Sequence, residues 1–388
     1  MVDCRAPRRS QAWSVSLLMP VSEAEIAAGE ADQPGLDNRV ERMQEVLPCE
    51  AYLARANMKI LVTGLGAMGT SHGWALAQAG EDVWHVVRNP EASRASGGSI
   101  VIDVLDMRSP SRGPRGPRDV VYAPKVTSRV AREDGFELVI IATKHYQAAE
   151  AVRAYRDAAP GAIFLLFTAN WSGPSDIDAL LPRAQYLWGY AASDGGWSAN
   201  NRLMVNLRPS IRLGALPGGT PEHLDRVRAL FANAGLEADL KENIIHWLWV
   251  HHALNAGTIG GALCAGGIPE LTRSFSAMVE TGRVTQEALS VVAARGVDVG
   301  QYPDGRAFSQ TRLWLVPFHV LFYRYVLNYT EYGKRTVASG HFASNPREMK
   351  QFCFDVLRTA EALRVPAPHL AAMGERIAKL PGGVPSAA

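Results

Sequence analysis

Ile60-Leu61-Val62-Thr63-Gly64-Leu65-Gly66-Ala67-Met68-Gly69 is the stretch that decides the fold. A short apolar run, of the kind buried on both faces of a parallel sheet, passes directly into G-x-G-x-x-G. From Thr70 to Gly80 the chain reads as a helix, with Trp74, Leu76 and Ala77 available for packing. Gly80 closes it before a second strand from Val83 to Val87. The result is a complete βαβ unit. In such a unit Gly64 permits the tight turn, Gly66 lets the backbone approach a pyrophosphate, and Gly69 allows helix and strand to pack closely. Leu65, Ala67 and Met68 complete the loop, and the helix N-terminus faces the phosphate charge.

At the end of the second strand a protein selecting NAD would carry Asp or Glu for the ribose hydroxyls, whereas this chain reads Val87-Arg88-Asn89-Pro90. With no carboxylate to repel a phosphate, Arg88 is suited to pair with a 2′-phosphate bidentately, with Arg94 as a second contact, so NADP(H) is the expected cofactor. The alternative for Arg88 is a solvated loop arginine.

Working outward, Glu137 to Thr143 reads as a buried strand ending in Lys144-His145-Tyr146-Gln147, and Ile163 to Thr168 as one ending in Asn170. Both polar groups fall at carboxyl ends of strands, where open α/β sheets bind ligands. Asn243 to Asn255 reads as a helix that places His251 and Asn255 four residues apart on one face. The fold expected is α/β: a dinucleotide-binding Rossmann domain over residues 58–241, then a mainly helical domain over residues 242–388.

In this order, the glycine fingerprint, the Arg after strand two, Lys-x-x-Gln, the Asn at a strand end, and Asn-Ile followed by Leu-Trp and Asn255 resemble the ketopantoate reductase family. The resemblance runs from Met58 to Gly267, continues in Pro269-Glu270-Leu271, and returns in Arg364-Val365-Pro366-Ala367-Pro368. From Gln301 to Ser344 the chain departs from the family and is longer. The resemblance implies NADPH-dependent reduction of a small 2-keto acid, with 2-dehydropantoate leading. It implies that Lys144 and Asn170 lie beside nicotinamide and substrate, that Asn255 binds substrate, and, by counting back from the closing loop, that Glu348 does too. Thr336, Ser339 and Ser344 are candidates for an accompanying hydroxyl, and Gln147 is equally well a helix-start polar group. One departure matters most. The family's general-acid lysine is replaced by His251, whose type of side chain can still donate to an alkoxide near neutral pH. His252 is expected to turn away toward packing. Trp171, Trp188, Tyr190 and Trp197 read either as cleft walls or as ordinary packing.

Composition bounds the alternatives. Lys+Arg at 40 against Asp+Glu at 38 asks for neither nucleic acid nor an acidic membrane. Cys4, Cys49, Cys264 and Cys353 are too scattered for a metal site or a CxxC pair and suit a reducing, cytoplasmic setting. The apolar window Leu313 to Tyr323 is too short to span a bilayer and reads as a buried helix. Residues 1–57 read as a poorly structured extension or an overlong start, because Met58 opens the first strand directly. Arg5, Arg8 and Arg9 before Val15 to Met19 resemble a signal peptide only weakly and lack a convincing cleavage site. Arg112 to Arg118 reads as a solvated loop, and the helices from Pro269 to Arg295 and Arg347 to Leu363 as the second domain's core and a homodimer face. Two other functions stay open: a related reductase of another ketone, aldehyde or imine, and an NADPH-binding sensor without catalysis.

Overall fold

A computed structural model describes residues 57–108, 116–198, 200–310, 316–339 and 346–381. The expectations for residues 1–56, for 109–115 and for Ser344 fall outside them. Within them the strands are β1 Lys59–Thr63, β2 Asp82–Val86, β3 Ile100–Asp106, β4 Pro117–Tyr122, β5 Lys125–Thr127, β6 Leu138–Ile141, β7 Ile163–Phe167, β8 Tyr186–Ala191, β9 Asp194–Trp197, β10 Arg202–Leu207, β11 Ser210–Gly214 and β12 Glu237–Leu240. The helices are α1 Ala67–Gln78, α2 Ala148–Tyr155, α3 Ser175–Asp178, α4 Pro221–Asn233, α5 Ile244–Ala265, α6 Ile268–Arg273, α7 Phe275–Ala294, α8 Pro303–Gln310, α9 Val316–Tyr329, α10 Glu331–Ala338, α11 Pro346–Leu363 and α12 Pro368–Ala378.

The central sheet runs β12-β11-β8-β7-β6-β1-β2-β5. From β5 to β8 all neighbours are parallel, and β11 joins antiparallel to β8. β6 and β7 are buried at every residue, as their unbroken apolar runs demand. Strand order reverses between β1 and β6, so a ligand crevice opens beyond their carboxyl ends. Thr63 pins that seam: its hydroxyl accepts from Ala142 N at 2.9 Å and donates to Ile140 O at 3.3 Å.

A second sheet, β4-β3-β10-β9, covers α1 and shares its core through Trp74, Ile102, Val104 and Val205. It was not anticipated, although β3 alternates buried and half-exposed residues with period two. The loop expected from Arg112 to Arg118 is corrected at its end. Pro117 and Arg118 open edge strand β4, where proline costs least, and Arg118 pairs with Asp106 at 3.0 Å. Helix α10 docks on this sheet through buried Arg335, which donates to Asp103 Oδ1 (2.8 Å), Asp103 O (2.6 Å) and Asn206 Oδ1 (3.1 Å).

After β12 the described chain is helical. The Asn243 side chain caps α5 by accepting from His246 N at 3.1 Å, and Gly266, with φ 91°, ends it. Ile244, Ile245, Trp247 and Leu248 bury against the central sheet with Phe164 and Trp188, so the first turns of α5 belong to the sheet's core. Farther along, Val250, Ala253 and Leu254 pack with α7 and α11. The later part carries Gly257, Gly260 and Gly261, where an added Cβ would run into Thr285, Met373 and Thr281 respectively.

Over residues 316–323, the described part of the segment expected as a buried helix, the chain is instead a surface helix. In α9, Val320 and Tyr323 face inward while Phe318, Leu321, Phe322 and Tyr325 are exposed, because only one stripe of the helix meets the fold. Among the described residues no helix is long and apolar enough to cross a membrane.

Two fully buried histidines make this fold sensitive to acid. Burial lowers His72 and His85 to about 4, against a partial opposing effect of their bonds to the Met68 and Gly64 carbonyls. Between that value and 6.5 the unfolded chain binds more protons, so stability is full above about pH 6.5 and declines as pH falls toward 4. Each ring contributes on the order of 3 kcal/mol over that window. Urea midpoints should therefore drop steadily from pH 7 to 4.5. A midpoint flat over this range would contradict the burial of these rings.

Candidate active site

The glycine loop takes the form its sequence calls for. Gly64 has φ +76°, a conformation costly for any side chain but glycine's. Gly66 is the extended N-cap of α1, and a Cβ there would meet nothing within 4 Å, leaving open approach to the backbone. At Gly69 the constraint is packing: a Cβ would lie 3.1 Å from Val62 Cγ1 and 3.3 Å from Ala142 Cβ. The first turn of α1 has no acidic residue and no side-chain cap, so its N–H groups and dipole suit an anion such as a pyrophosphate.

Behind the loop stands a residue that sequence reasoning missed. His85 Nδ1 lies 3.0 Å from Gly64 O, and its Nε2 lies 3.0 Å from the Tyr122 hydroxyl. A carbonyl only accepts, so Nδ1 carries the proton and Tyr122 donates to Nε2. The signal was obscure, because His85 lies inside a strand with no motif around it.

Arg88 is exposed in the bend after β2, near enough to Tyr155 to oppose, in part, the upward push of burial on that phenol. Arg94 is held on the small sheet, its guanidinium 4.3 Å from the Trp197 ring and 3.4 Å from Asn201 Oδ1. Trp197 stands against Arg94 on β9, and Trp188 is fully buried in the core of the central sheet.

Lys144 ends the run after β6 and caps a 3-10 turn, His145–Gln147, its carbonyl accepting from Gln147 N at 2.8 Å. Asn170 is committed to its own loop, donating to Gly173 O (2.9 Å) and accepting from Gly173 N (2.6 Å). It shapes the crevice floor, with its amide already paired. Asn255 is buried on α5 one turn beyond His251. Glu348, in the first turn of α11, adds its charge to the push of burial on the Tyr146 and Tyr190 phenols. Thr336 and Ser339 do not join this group. Thr336 sits on α10, where its hydroxyl donates to Asp194 at 2.9 Å, and Ser339 is the C-cap of that helix.

The two adjacent histidines part company. His251 stacks on Trp247 (5.0 Å, 11°) and meets Tyr190 edge-on at 4.7 Å. Burial, then the charges of Arg212 and His252, lower it to about 3. His252 packs on Trp171 (4.9 Å) and Phe352 (4.6 Å) as expected, yet its Nε2 also lies 3.3 Å from Asp355 Oδ2. His145 Nε2 approaches the same oxygen at 3.6 Å. Asp355 is held far below the usual carboxylate range by both histidines, which outweigh the opposing effect of its burial. Neither His145 nor Asp355 was singled out in the sequence, since the pairing joins positions more than two hundred residues apart.

Residues 60–218 match the sequence pattern of the family described as Ketopantoate reductase PanE/ApbA. A 2-dehydropantoate 2-reductase of Pyrococcus abyssi is 28% identical over 207 residues, 51% of this chain and 61% of that protein. The match thus spans under two thirds of that relative's length. Among solved structures, a 2-dehydropantoate 2-reductase from Geobacter metallireducens aligns with TM-score 0.61 at 16% identity, covering 82% of this chain and 99% of that one. A D-mandelate dehydrogenase with NADH and anilino(oxo)acetate aligns with TM-score 0.61 at 19% identity, covering 82% and 97%. These structures share the fold expected from the sequence.

The depressed His251 gives a direct test. Its imidazole should remain neutral at pH 5 in nitrogen-edited NMR, so it can serve only as an uncharged hydrogen-bond donor. Protonation near pH 6.5 would show that the ring is not buried in the Trp247–Tyr190 stack.

Proposed function

Since residues 60–218 carry the ketopantoate reductase pattern, we propose that the protein is an NADPH-dependent reductase of a small 2-keto acid, with 2-dehydropantoate the first substrate. That substrate would place it in pantothenate biosynthesis, in the cytoplasm, and the helical half would offer a homodimer face. The observation that carries this reading is the unobstructed, carboxylate-free N-terminus of α1 at the strand-order switch, with Lys144 across the seam.

Backbone N–H groups of Gly64 to Gly69 would hold the pyrophosphate of the nucleotide. Arg88 would pair with its 2′-phosphate. The nicotinamide, when bound, would supply hydride to the substrate's carbonyl carbon. Negative charge then grows on the carbonyl oxygen, and Lys144 offers an ammonium group to it from the end of β6. His251, neutral in its aromatic stack, contributes a hydrogen bond without charge. Asn255 and Glu348 orient the substrate, and Asn170 sets the loop that supports nicotinamide and substrate.

A second substrate class, aromatic 2-keto acids, is favoured by the aromatic group at His251, Tyr190 and Trp247 and by the fold shared with D-mandelate dehydrogenase. NADPH oxidation assayed with 2-dehydropantoate and with phenylglyoxylate separates the two. NADPH binding with no turnover on any 2-keto acid, ketone, aldehyde or imine would favour a sensor instead. Arg88→Ala is expected to cut the preference for NADPH over NADH by about tenfold or more, the worth of a charge-assisted bidentate pair. A wild-type protein that prefers NADH would remove the role given to Arg88.

A further inference from the structure

Helix α9 carries apolar side chains on two opposite faces. Val320 and Tyr323 turn inward, and Leu327 packs against Ile268 and Leu271 of α6. Phe318, Leu321, Phe322, Tyr325 and Tyr329 turn outward at spacings i, i+3, i+4, i+7 and i+11, which is one stripe along the helix. The stripe is held firmly. Arg324, the one charged residue of α9, donates from Nε to Thr272 O (2.8 Å) and from Nη2 to Arg273 O (2.9 Å), which fastens the helix to α6. At Gly333 of α10 a Cβ would run into the Val326 carbonyl, so α9 and α10 meet backbone to backbone. Within the stripe the Tyr325 and Tyr329 rings stack at 5.7 Å and 25°. Elsewhere among the described residues exposed large apolar side chains stand apart, as do Val121 on β4, Phe275 on α7 and Leu363 at the end of α11. The helices α7 and α11, expected as a homodimer face, therefore present no comparable stripe.

The bare area decides what can cover it. Exposures of 64% for Phe318, 63% for Leu321, 37% for Phe322, 58% for Tyr325 and 75% for Tyr329 leave roughly 600 Å² of side chain in water, taking about 200 Å² for a fully bare side chain of this size. A stable interface hides about 800 Å² on each partner, and in homodimers about 65% of that is apolar, or roughly 500 Å². The stripe alone meets that need. Its composition, aromatic and free of charge, is also that of an interface core. We propose that the α9 stripe is the interface with a second copy of this chain. This rests on the homodimer reading above and moves its face to α9; the reaction plays no part in it. A twofold interface must be self-complementary, and the stripe is symmetric about its midpoint. Two α9 helices crossing antiparallel there set Phe322 against Tyr325 of the partner subunit and Phe318 against Tyr329 of the partner subunit. A lipid surface is the poorer fit, because a helix lying in a bilayer interface carries a polar face rich in Lys and Arg, whereas the single guanidinium of α9 is committed to α6 carbonyls.

The test uses the full chain without nucleotide or substrate. By sedimentation the wild type should have twice the chain mass at micromolar concentration, and its Tm should rise with protein concentration, as mass action requires of a dimer. Leu321→Glu and Tyr325→Glu each put one charge per copy into the interface and should raise the dissociation constant by about a hundredfold or more. Their circular dichroism should stay that of the wild type, since both side chains are exposed in the single chain. Phe275→Glu and Val121→Glu should leave the dimer intact. A dimer that survives both α9 substitutions, or that comes apart in Phe275→Glu or Val121→Glu instead, would overturn the α9 face and leave the homodimer reading standing. A wild type that stays monomeric throughout the micromolar range, whether or not it binds vesicles of phosphatidylserine and phosphatidylcholine, would remove the homodimer reading and the α9 face with it.

Discussion

A buried imidazole holds the turn on which the glycine-loop end of the molecule is built. His85 donates to the Gly64 carbonyl and is itself satisfied by Tyr122, so the glycine loop is tied through one ring to the second sheet. The ring fits because α1 has glycine at position 73, where a Cβ would lie 2.8 Å from the imidazole. Without that space α1 would be pushed off the sheet, and its N-terminus would no longer meet the crevice between β1 and β6. Through Tyr122 the small sheet thereby fixes the position of the α1 N-terminus.

The helical half carries candidate site residues as well as core. α5 begins in the core of the central sheet, buries His251 against Trp247 and His252 against Trp171, and ends among α7 and α12. α11 carries Glu348 and Asp355, and its Thr359 hydroxyl accepts from Trp171 Nε1 at 2.8 Å. Trp171 in turn lies under the Arg295 guanidinium at 4.6 Å, so a residue from the end of β7 is clamped between α7 and α11. The two expected domains meet through shared core and paired polar groups.

Sequence alone revealed the glycine loop, the strands ending at Lys144 and Asn170, and helix α5 with His251 and Asn255. These are legible because each rests on local order: an apolar run, a turn residue, a helical period. The small sheet escaped notice since its strands come from segments about a hundred residues apart, and register between distant strands leaves no local mark. His85, His145 and Asp355 escaped for the same reason, each acquiring its significance from a partner brought close only by folding. Trp197 and the α9 aromatics show the converse. Their apolar character was plain in the sequence, but the surface each one faces was not.

The stripe of Gly257, Gly260 and Gly261 has a consequence for how variants of this protein would be interpreted. Every single-base missense change in a glycine codon adds at least one carbon, and at these positions that carbon meets Thr285, Met373 or Thr281. Such overpacking typically costs about 1–3 kcal/mol, a sizeable share of a domain's stability. Purifying selection would thus preserve these codons as strictly as those of the crevice, and invariance along α5 would record the distance between helices rather than any part in the reaction.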